Sequence, residues 1–308
     1  MCKNSNLVHI ICYSGGHSSA IVAIEVVRRY GKENVILLNH NINKRYENED
    51  IKRFKQEVAD YLGIEITYAN IKGIMDDALI PNQFEVVEEL KTFINVPTKQ
   101  ALCTTKLKTE PFHEFLKQLE DKNVCAYYGF DENELNRVER RKTILNDKNV
   151  DSDFPIALWG ENKYKNLENY LLDQKKSLDI LVIEGFKNRD NYERTIYSTT
   201  EIGIDPPNTY NVWKHANCIG CLKAGQQHWY CVYVHDYETF ERAKLAEERI
   251  GFSIIDEEYL KDLEVKFEQM KKIGIPANEH IPFQKFWATA NKYLKEKTID
   301  MFPCECWI

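Results

Sequence analysis

Three groups of residues in this chain have types and spacings that suit chemistry. The first is Tyr13-Ser14-Gly15-Gly16-His17-Ser18-Ser19-Ala20. Two adjacent glycines let the backbone approach a ligand closely, and successive N–H groups and hydroxyls ahead of a helix hold an anion. The spacing is neither G-x-G-x-x-G nor the Walker A pattern, and a plain Gly-Gly turn with Ser18 as N-cap is the competing reading. The second group is Arg137, Arg140 and Arg141, downstream of Gly129-Phe130-Asp131-Glu132. Arg137 and Arg141 are four apart and share a helix face, and guanidinium groups suit bidentate contact with phosphate. On a solvated face the same residues would pair with neighbours such as Glu134. The third group is Cys218-Ile219-Gly220-Cys221, a C-x-x-C that serves as a redox pair or as half of a metal site. Gly220 permits the tight turn that points both sulfurs at one ion. A thioredoxin-like pair belongs at a strand-to-helix junction of a small separate domain, and none is legible here, so metal binding is the better reading.

The elements that must position these groups follow an α/β rhythm. Leu7–Tyr13 is a short, nearly continuous apolar run, as expected of a strand covered on both faces. Ser18–Tyr30 carries Ile21, Val22, Ile24, Val26 and Val27 at helical spacing, with Gly31 as C-cap. Val35–Leu38, Asp50–Leu62 and Glu65–Tyr68 continue as strand, helix and strand. This βαβαβ order implies a parallel sheet with right-handed crossovers. Pro111 suits the first turn of a helix to about Leu119; Val124–Gly129 reads as another buried strand and Glu132–Ile144 as a charged helix. Phe154–Trp159, an amphipathic segment at Leu167–Gln174 and the apolar run Leu178–Ile183 follow. Tyr230-Cys231-Val232 reads as an apolar strand that buries Cys231. Tyr237–Ile250, Glu257–Ile273 and Phe283–Leu294 read as helices. The expected organisation is an α/β domain over 1–215 and a cysteine-containing, mainly helical region over 216–308.

Composition bounds what these elements can do. The 308 residues are 43% apolar and 29% charged, enough for a full core. Lys+Arg 41 against Asp+Glu 48 gives a net charge of −7. General electrostatic coating by nucleic acid is therefore not indicated, and such contact needs a local basic patch, for which Lys106, Lys108 and the arginine helix are the candidates. No apolar run approaches the ~20 residues that cross a bilayer, and Met1–Asn6 lacks the apolar stretch of an export signal. A cytoplasmic protein without membrane contact is the expectation. In that reducing compartment the nine cysteines act as buried hydrophobes, metal ligands or nucleophiles rather than disulfides.

Ser14-Gly15-Gly16-His17-Ser18-Ser19 resembles the S-G-G-x-D-S pyrophosphate loop of the ATP pyrophosphatase and phosphoadenosine phosphosulfate (PAPS) reductase superfamily, with Ser18 in place of the aspartate. Gly129-Phe130-Asp131-Glu132-x-Glu134-x-x-Arg137 resembles the reductase stretch that delivers arginines to substrate phosphates. Cys103-Thr104-x-x-x-Lys108-x-x-Pro111 resembles the segment that supplies cluster thiolates together with a later C-x-x-C. Gly203-Ile204-x-Pro206-Pro207-x-x-Tyr210 and Cys218–Trp229 extend the likeness over most of the chain, which is most similar to PAPS-reductase-like proteins of phages and mobile elements. The resemblance implies a Rossmann-like sheet of the adenine nucleotide α-hydrolase (PP-loop) type that binds ATP or PAPS. The ligand would sit at Ser14–Ser19, at Asn39 and His40 after the second strand, at Gly129, and at Arg137 with Arg140 or Arg141. The chemistry implied is sulfur transfer or reduction at the α-phosphate or an attached sulfur, with a thiol reductant or sulfur-donor protein as partner. Losing the aspartate weakens metal-assisted ATP cleavage, is less damaging for the reductase branch, and supports one alternative, a non-catalytic nucleotide sensor with a structural metal. A second alternative, sulfur modification of DNA or tRNA, is implied by enzymes that share the fold.

Within that resemblance Cys103, Cys218 and Cys221 are metal ligands, for a [4Fe–4S] cluster or zinc, and a fourth is wanted. Cys304 in the tail Pro303-Cys304-Glu305-Cys306-Trp307-Ile308 is the candidate ahead of Cys231, and Cys306 remains an alternative, since the C-x-C pair would complete a four-thiolate site with Cys218 and Cys221. Glu305-Cys306 is similar to the E-C-G-L-H tail whose cysteine attacks the substrate sulfur, which makes Cys306 the candidate nucleophile. Cys2, Cys12 and Cys125 read as inert.

Overall fold

The computed structural model describes residues 7–95, 100–119, 122–159, 194, 196–216 and 218–300. In chain order the strands are β1 (Leu7–Cys12), β2 (Val35–Asn39), β3 (Ile66–Tyr68), β4 (Ile94–Asn95), β5 (Gln100–Ala101), β6 (Asn123–Tyr127) and β7 (Asp151–Asp153). The principal helices are α1 (His17–Tyr30), α2 (Glu49–Leu62), α3 (Gln83–Leu90), α4 (Glu110–Lys117), α5 (Leu135–Asn146), α6 (Gln226–His235), α7 (Tyr237–Ile250), α8 (Leu260–Lys272) and α9 (Phe283–Asp300). The segments Leu167–Gln174 and Leu178–Ile183 lie outside the described residues, as do Cys2, Cys304 and Cys306.

The chain forms two compact units, each assembled from separated stretches. The first comprises Met1–Asn41, Glu49–Met75 and Glu110–Asn208; the second comprises Ile42–Asn48, Asp76–Thr109 and Thr209–Ile308. Two segments upstream of residue 215 thus belong with the C-terminal helices.

The first unit is α/β. Its five-stranded sheet has the order β3-β2-β1-β6-β7, and all four pairings are parallel. Parallel strands are covered on both faces, and Ile10, Ile11 and Leu37 are completely buried. Each such aliphatic stabilises the fold by about 1.5–3 kcal/mol. Helix α1 buries every residue from Ser19 to Val26 and ends where Gly31, at φ +80°, donates its N–H to the Val27 carbonyl. The expected βαβαβ order and the Gly31 cap are both present.

One residue in β1 departs from the apolar run. His9 is buried, stacks on Tyr30 at 3.9 Å between ring centroids and shares a 2.8 Å hydrogen bond between Nδ1 and the Tyr127 hydroxyl. Burial disfavours the imidazolium and lowers its pKa to about 4. The unfolded chain takes up this proton below about pH 6.5 and the folded chain only near pH 4, so stability falls as the pH drops through that window, by about 3 kcal/mol in all. Asp153 acts in the opposite sense: burial pushes its pKa up to about 6, so its share of stability falls as the pH rises. His9→Gln is therefore expected to remove a stabilising slope between pH 4 and 6.5. Urea titrations of both proteins at several pH values check this; identical slopes refute it.

The second unit is helical, with the short antiparallel pair β4–β5. Its core joins Phe84 and Val87 of α3 to Trp229, Tyr230, Phe240, Phe267 and Phe286. The segment around Cys231 is a helix rather than the expected strand. Its β-branched and aromatic letters suit a strand, but Trp229 is fully buried and Tyr230 and Tyr233 pack their rings against Phe240 of α7 and Phe267 of α8, and that packing outweighs local preference. Cys231 is fully buried, as expected, and burial pushes its thiol up to about 12.

Candidate functional site

In an open parallel sheet, ligands collect beyond the carboxyl ends of the strands where the strand order reverses. Here β1 lies between β2 and β6, so that position falls between the turn after β1 and the turn after β6. The turn after β1 is Ser14-Gly15-Gly16. Gly15 adopts φ +79°, a conformation that costs roughly 1–2 kcal/mol for other residues. Helix α1 begins at His17 with Gly16 as N-cap and no side-chain cap, so Ser18 is not the capping residue. Instead the Ser19 hydroxyl donates to the Gly16 carbonyl at 2.8 Å, and the Ser14 hydroxyl donates to Ser19 Oγ at 3.2 Å. Ser14 and Ser18 are exposed, His17 is half-buried, and Gly15 and Gly16 are buried. The arrangement leaves the first N–H groups of α1 without a side-chain cap, as an anion site requires.

Gly129 presses against this turn. A Cβ built there would lie 2.9 Å from the Ser18 carbonyl carbon and 3.0 Å from both Ser18 Cβ and Ser19 N. Only glycine allows the backbone after β6 to come so close to the start of α1, which brings two of the expected segments together. On the other side, Asn39 ends β2 in a buried position and donates from Nδ2 to the Tyr13 carbonyl at 2.6 Å. Its Oδ1 has no hydrogen-bond partner among the described residues. His40 places Nδ1 2.5 Å from the Ala69 carbonyl, so that nitrogen carries the proton. A contributor the sequence did not reveal is Thr199: its N–H donates to His17 Nε2 at 3.2 Å, and its fully buried hydroxyl has no partner among the described residues.

The three arginines separate. Arg141 lies half-buried over the Tyr128 ring at 5.2 Å and is an electrostatic neighbour of the Cys12 thiol at the end of β1. Arg137 is 63% exposed, pairs with Glu134 and covers the Phe130 ring at 4.3 Å. Arg140 is exposed. The structure thus favours Arg141 as the arginine near the sheet edge and gives Arg137 the solvated pairing. Burial raises the Cys12 thiol to about 11, which suits the inert role expected of it.

The thiol group lies within the second unit. Ile219 N–H donates to the Tyr46 carbonyl at 2.9 Å, and Gln83 Nε2 donates to the Ile219 carbonyl at 2.8 Å. Cys221 N–H donates to His228 Nε2 at 3.2 Å, while His228 Nδ1 lies 2.5 Å from Glu279 Oε1. This fixes the Nδ1–H tautomer of His228. Gly220 at φ +72° packs on Thr239, Phe84 and Trp229. The C-x-x-C loop is therefore held from several sides. Cys103 and Cys221 both perturb Cys218, whose thiol burial pushes up to about 11; Cys103 is raised chiefly by burial and then by Cys221. Lys108 works against the rise at both. The three expected ligands are thus electrostatic neighbours, but among the described residues no three His, Cys, Asp or Glu side chains form a ready metal set. A cavity of about 200 Å³ opens beside Cys218 and Cys221, lined by Trp213, His228 and Glu279 among others.

Gln83 had a legible signal: Asn82 and Glu85 form a capping box ahead of Val86 and Val87. The His228–Glu279 pair, 51 residues apart, had none. Compared with known protein families and with curated proteins, the chain matches none of either.

Proposed function

We propose that this chain binds an adenine nucleotide, ATP or PAPS, at the turn after β1 and acts at its α-phosphate or an attached sulfur, as a PAPS-reductase-like enzyme of the adenine nucleotide α-hydrolase type. The observation that carries this reading is the Gly15–Gly16 turn at the reversal of strand order, held against Gly129 and flanked by Asn39 Oδ1, which has no partner among the described residues. Backbone N–H groups of the turn and the Ser18 hydroxyl would hold phosphoryl oxygens, and their fixed positions favour charge that develops during reaction. Arg141 would add positive charge from the β6 side.

Cys103, Cys218 and Cys221 would hold the metal, with Cys304 as fourth ligand, and Cys306 would be the nucleophile. A thiolate set of this kind fits zinc or a [4Fe–4S] cluster; bound there, the group supplies electron transfer if it is a cluster and structural order if it is zinc. Gln83 and His228 keep the C-x-x-C backbone in place in either case. A cytoplasmic setting with a thiol reductant or sulfur-donor protein completes the reading.

The exposed Ser18 favours a second reading, a sensor that binds without turnover, because it stands where the resemblance has a carboxylate. Anaerobic purification with metal analysis, followed by ATP and PAPS binding and turnover assays, separates the two. The enzyme reading expects conversion that Cys306→Ser abolishes; binding without conversion supports the sensor, and no nucleotide binding defeats both.

A further inference from the structure

Helix α2 brings a lysine to the glycine turn. Lys55 is only 3% exposed, whereas Lys52 on the same helix is partly exposed and pairs with Glu49. A Cβ placed on Gly15 would lie 3.2 Å from Lys55 Cδ and 3.4 Å from Lys55 Cβ, so the lysine stem runs along the turn itself. Its Nζ, two bonds beyond Cδ, is 5.6 Å from the Tyr68 ring centroid. Tyr68 ends β3 and is the register partner of Asn39, which places the ammonium at the carboxyl edge of the sheet beside the turn. The Lys55 carbonyl also accepts the Tyr13 hydroxyl at 2.8 Å, which fixes this part of α2 to the residue preceding Ser14.

We infer that Lys55 is the cationic anchor for a tetrahedral oxyanion, phosphoryl or sulfuryl, held at the Gly15–Gly16 turn; this rests on reading that turn as an anion site. Two independent features meet there. The desolvated ammonium interacts more strongly with an anion than an exposed guanidinium such as Arg137 does, because less water screens it. Asn39, only 3% exposed, holds beside the turn an Oδ1 with no partner among the described residues, which an N–H or O–H of the same ligand would satisfy. The site therefore takes a ligand that combines an oxyanion with a hydrogen-bond donor. Lysine suits the role as a compact charge on a stem flexible enough to follow the anion.

The test uses the full chain, inorganic pyrophosphate and, separately, sulfate. Lys55→Met keeps the apolar stem and removes the charge. It is expected to weaken binding of the preferred oxyanion by about 10- to 100-fold, the range for a lost charged hydrogen bond, measured at a temperature where a melting curve shows the variant folded. In wild-type protein with 13C-labelled lysine, the Lys55 Cε–Hε resonance, assigned by its absence from Lys55→Arg, is expected to shift on saturation while that of Lys52 does not. A shift with pyrophosphate identifies a phosphate chain, and a shift with sulfate alone a sulfuryl group. Equal affinity in Lys55→Met overturns the lysine assignment only. If Lys55→Met does not fold, a wild-type Lys55 resonance that stays fixed at saturation overturns it instead. If wild-type protein binds neither oxyanion, the reading of the turn falls with it.

Discussion

Gly220→Ala is expected to destabilise the second unit by about 2–5 kcal/mol, the sum of a left-handed backbone cost of roughly 1–2 kcal/mol and an overpacking cost of about 1–3 kcal/mol. Both terms act at one atom. Gly220 sits at φ +72°, and an added Cβ would lie 2.6 Å from Thr239 Cγ2 and 3.3 Å from Phe84 Cζ. Phe84 and Thr239 are themselves buried, so neither moves aside freely. The two terms can be separated. Thr239→Ser removes the methyl while keeping the hydroxyl that donates to Asp236 at 2.8 Å, so it should restore most of the overpacking share in Gly220→Ala and none of the backbone share. Gly225→Ala is the control: it has nothing within 4 Å of a new Cβ and an extended backbone, and should change stability by less than about 1 kcal/mol. Urea unfolding followed by tryptophan fluorescence is suitable, since Trp213, Trp229 and Trp287 all lie in the second unit. A Gly220→Ala protein as stable as wild type would show that the loop has room the geometry denies.

Gly129→Ala is expected to damage ligand binding more than folding. Its φ is not positive, so the cost is contact alone, about 1–3 kcal/mol. The atoms in the way are the Ser18 carbonyl carbon at 2.9 Å and Ser19 N at 3.0 Å, which are backbone and cannot rotate away. The first turn of α1 must move, and with it the N–H groups proposed to meet the phosphate. Nucleotide affinity should fall at least about 10-fold, as for the loss of one or more charge-assisted hydrogen bonds. Calorimetric titration with ATP and PAPS, alongside a melting curve, reads both effects. Unchanged affinity in a folded Gly129→Ala protein would place the ligand elsewhere.

Much of this architecture was legible because its signals are local. The strands β1, β2 and β6 are short apolar runs, and Gly31, Gly15 and Gly129 mark real backbone constraints. Other elements gave no such signal. The edge strand β7 is Asp-Ser-Asp, which has no apolar alternation and is held by pairing with β6. Helix α6 reads as a strand because aromatic packing, not residue preference, decides it. Lys55 lies in Lys52-Arg53-Phe54-Lys55, where a solvated helix face is the natural reading; only the fold shows which lysine turns inward. Arg137 illustrates the reverse case, since its spacing suits a phosphate clamp while its position gives it to Glu134.

The interleaved second unit has a consequence for biosynthesis. Helix α3 carries Phe84 and Val87, and its Glu88 is gripped by Arg242 at 2.5 and 2.9 Å and by Arg249 at 3.1 Å. Phe84's partners on α6 and α7 follow only about 150 residues later, which at ribosomal speeds of about 5–20 residues per second is a delay on the order of 10 s. Throughout that interval the nascent chain carries an aromatic face that only Tyr46 among its earlier ring partners can cover, and an acidic residue without its arginines. The α/β unit meets the same difficulty less sharply, because β1, α1, β2, α2 and β3 leave the ribosome in succession and pair with their neighbours as they emerge. Chaperone demand during synthesis should therefore fall on α3, far in sequence from the core that eventually shelters it.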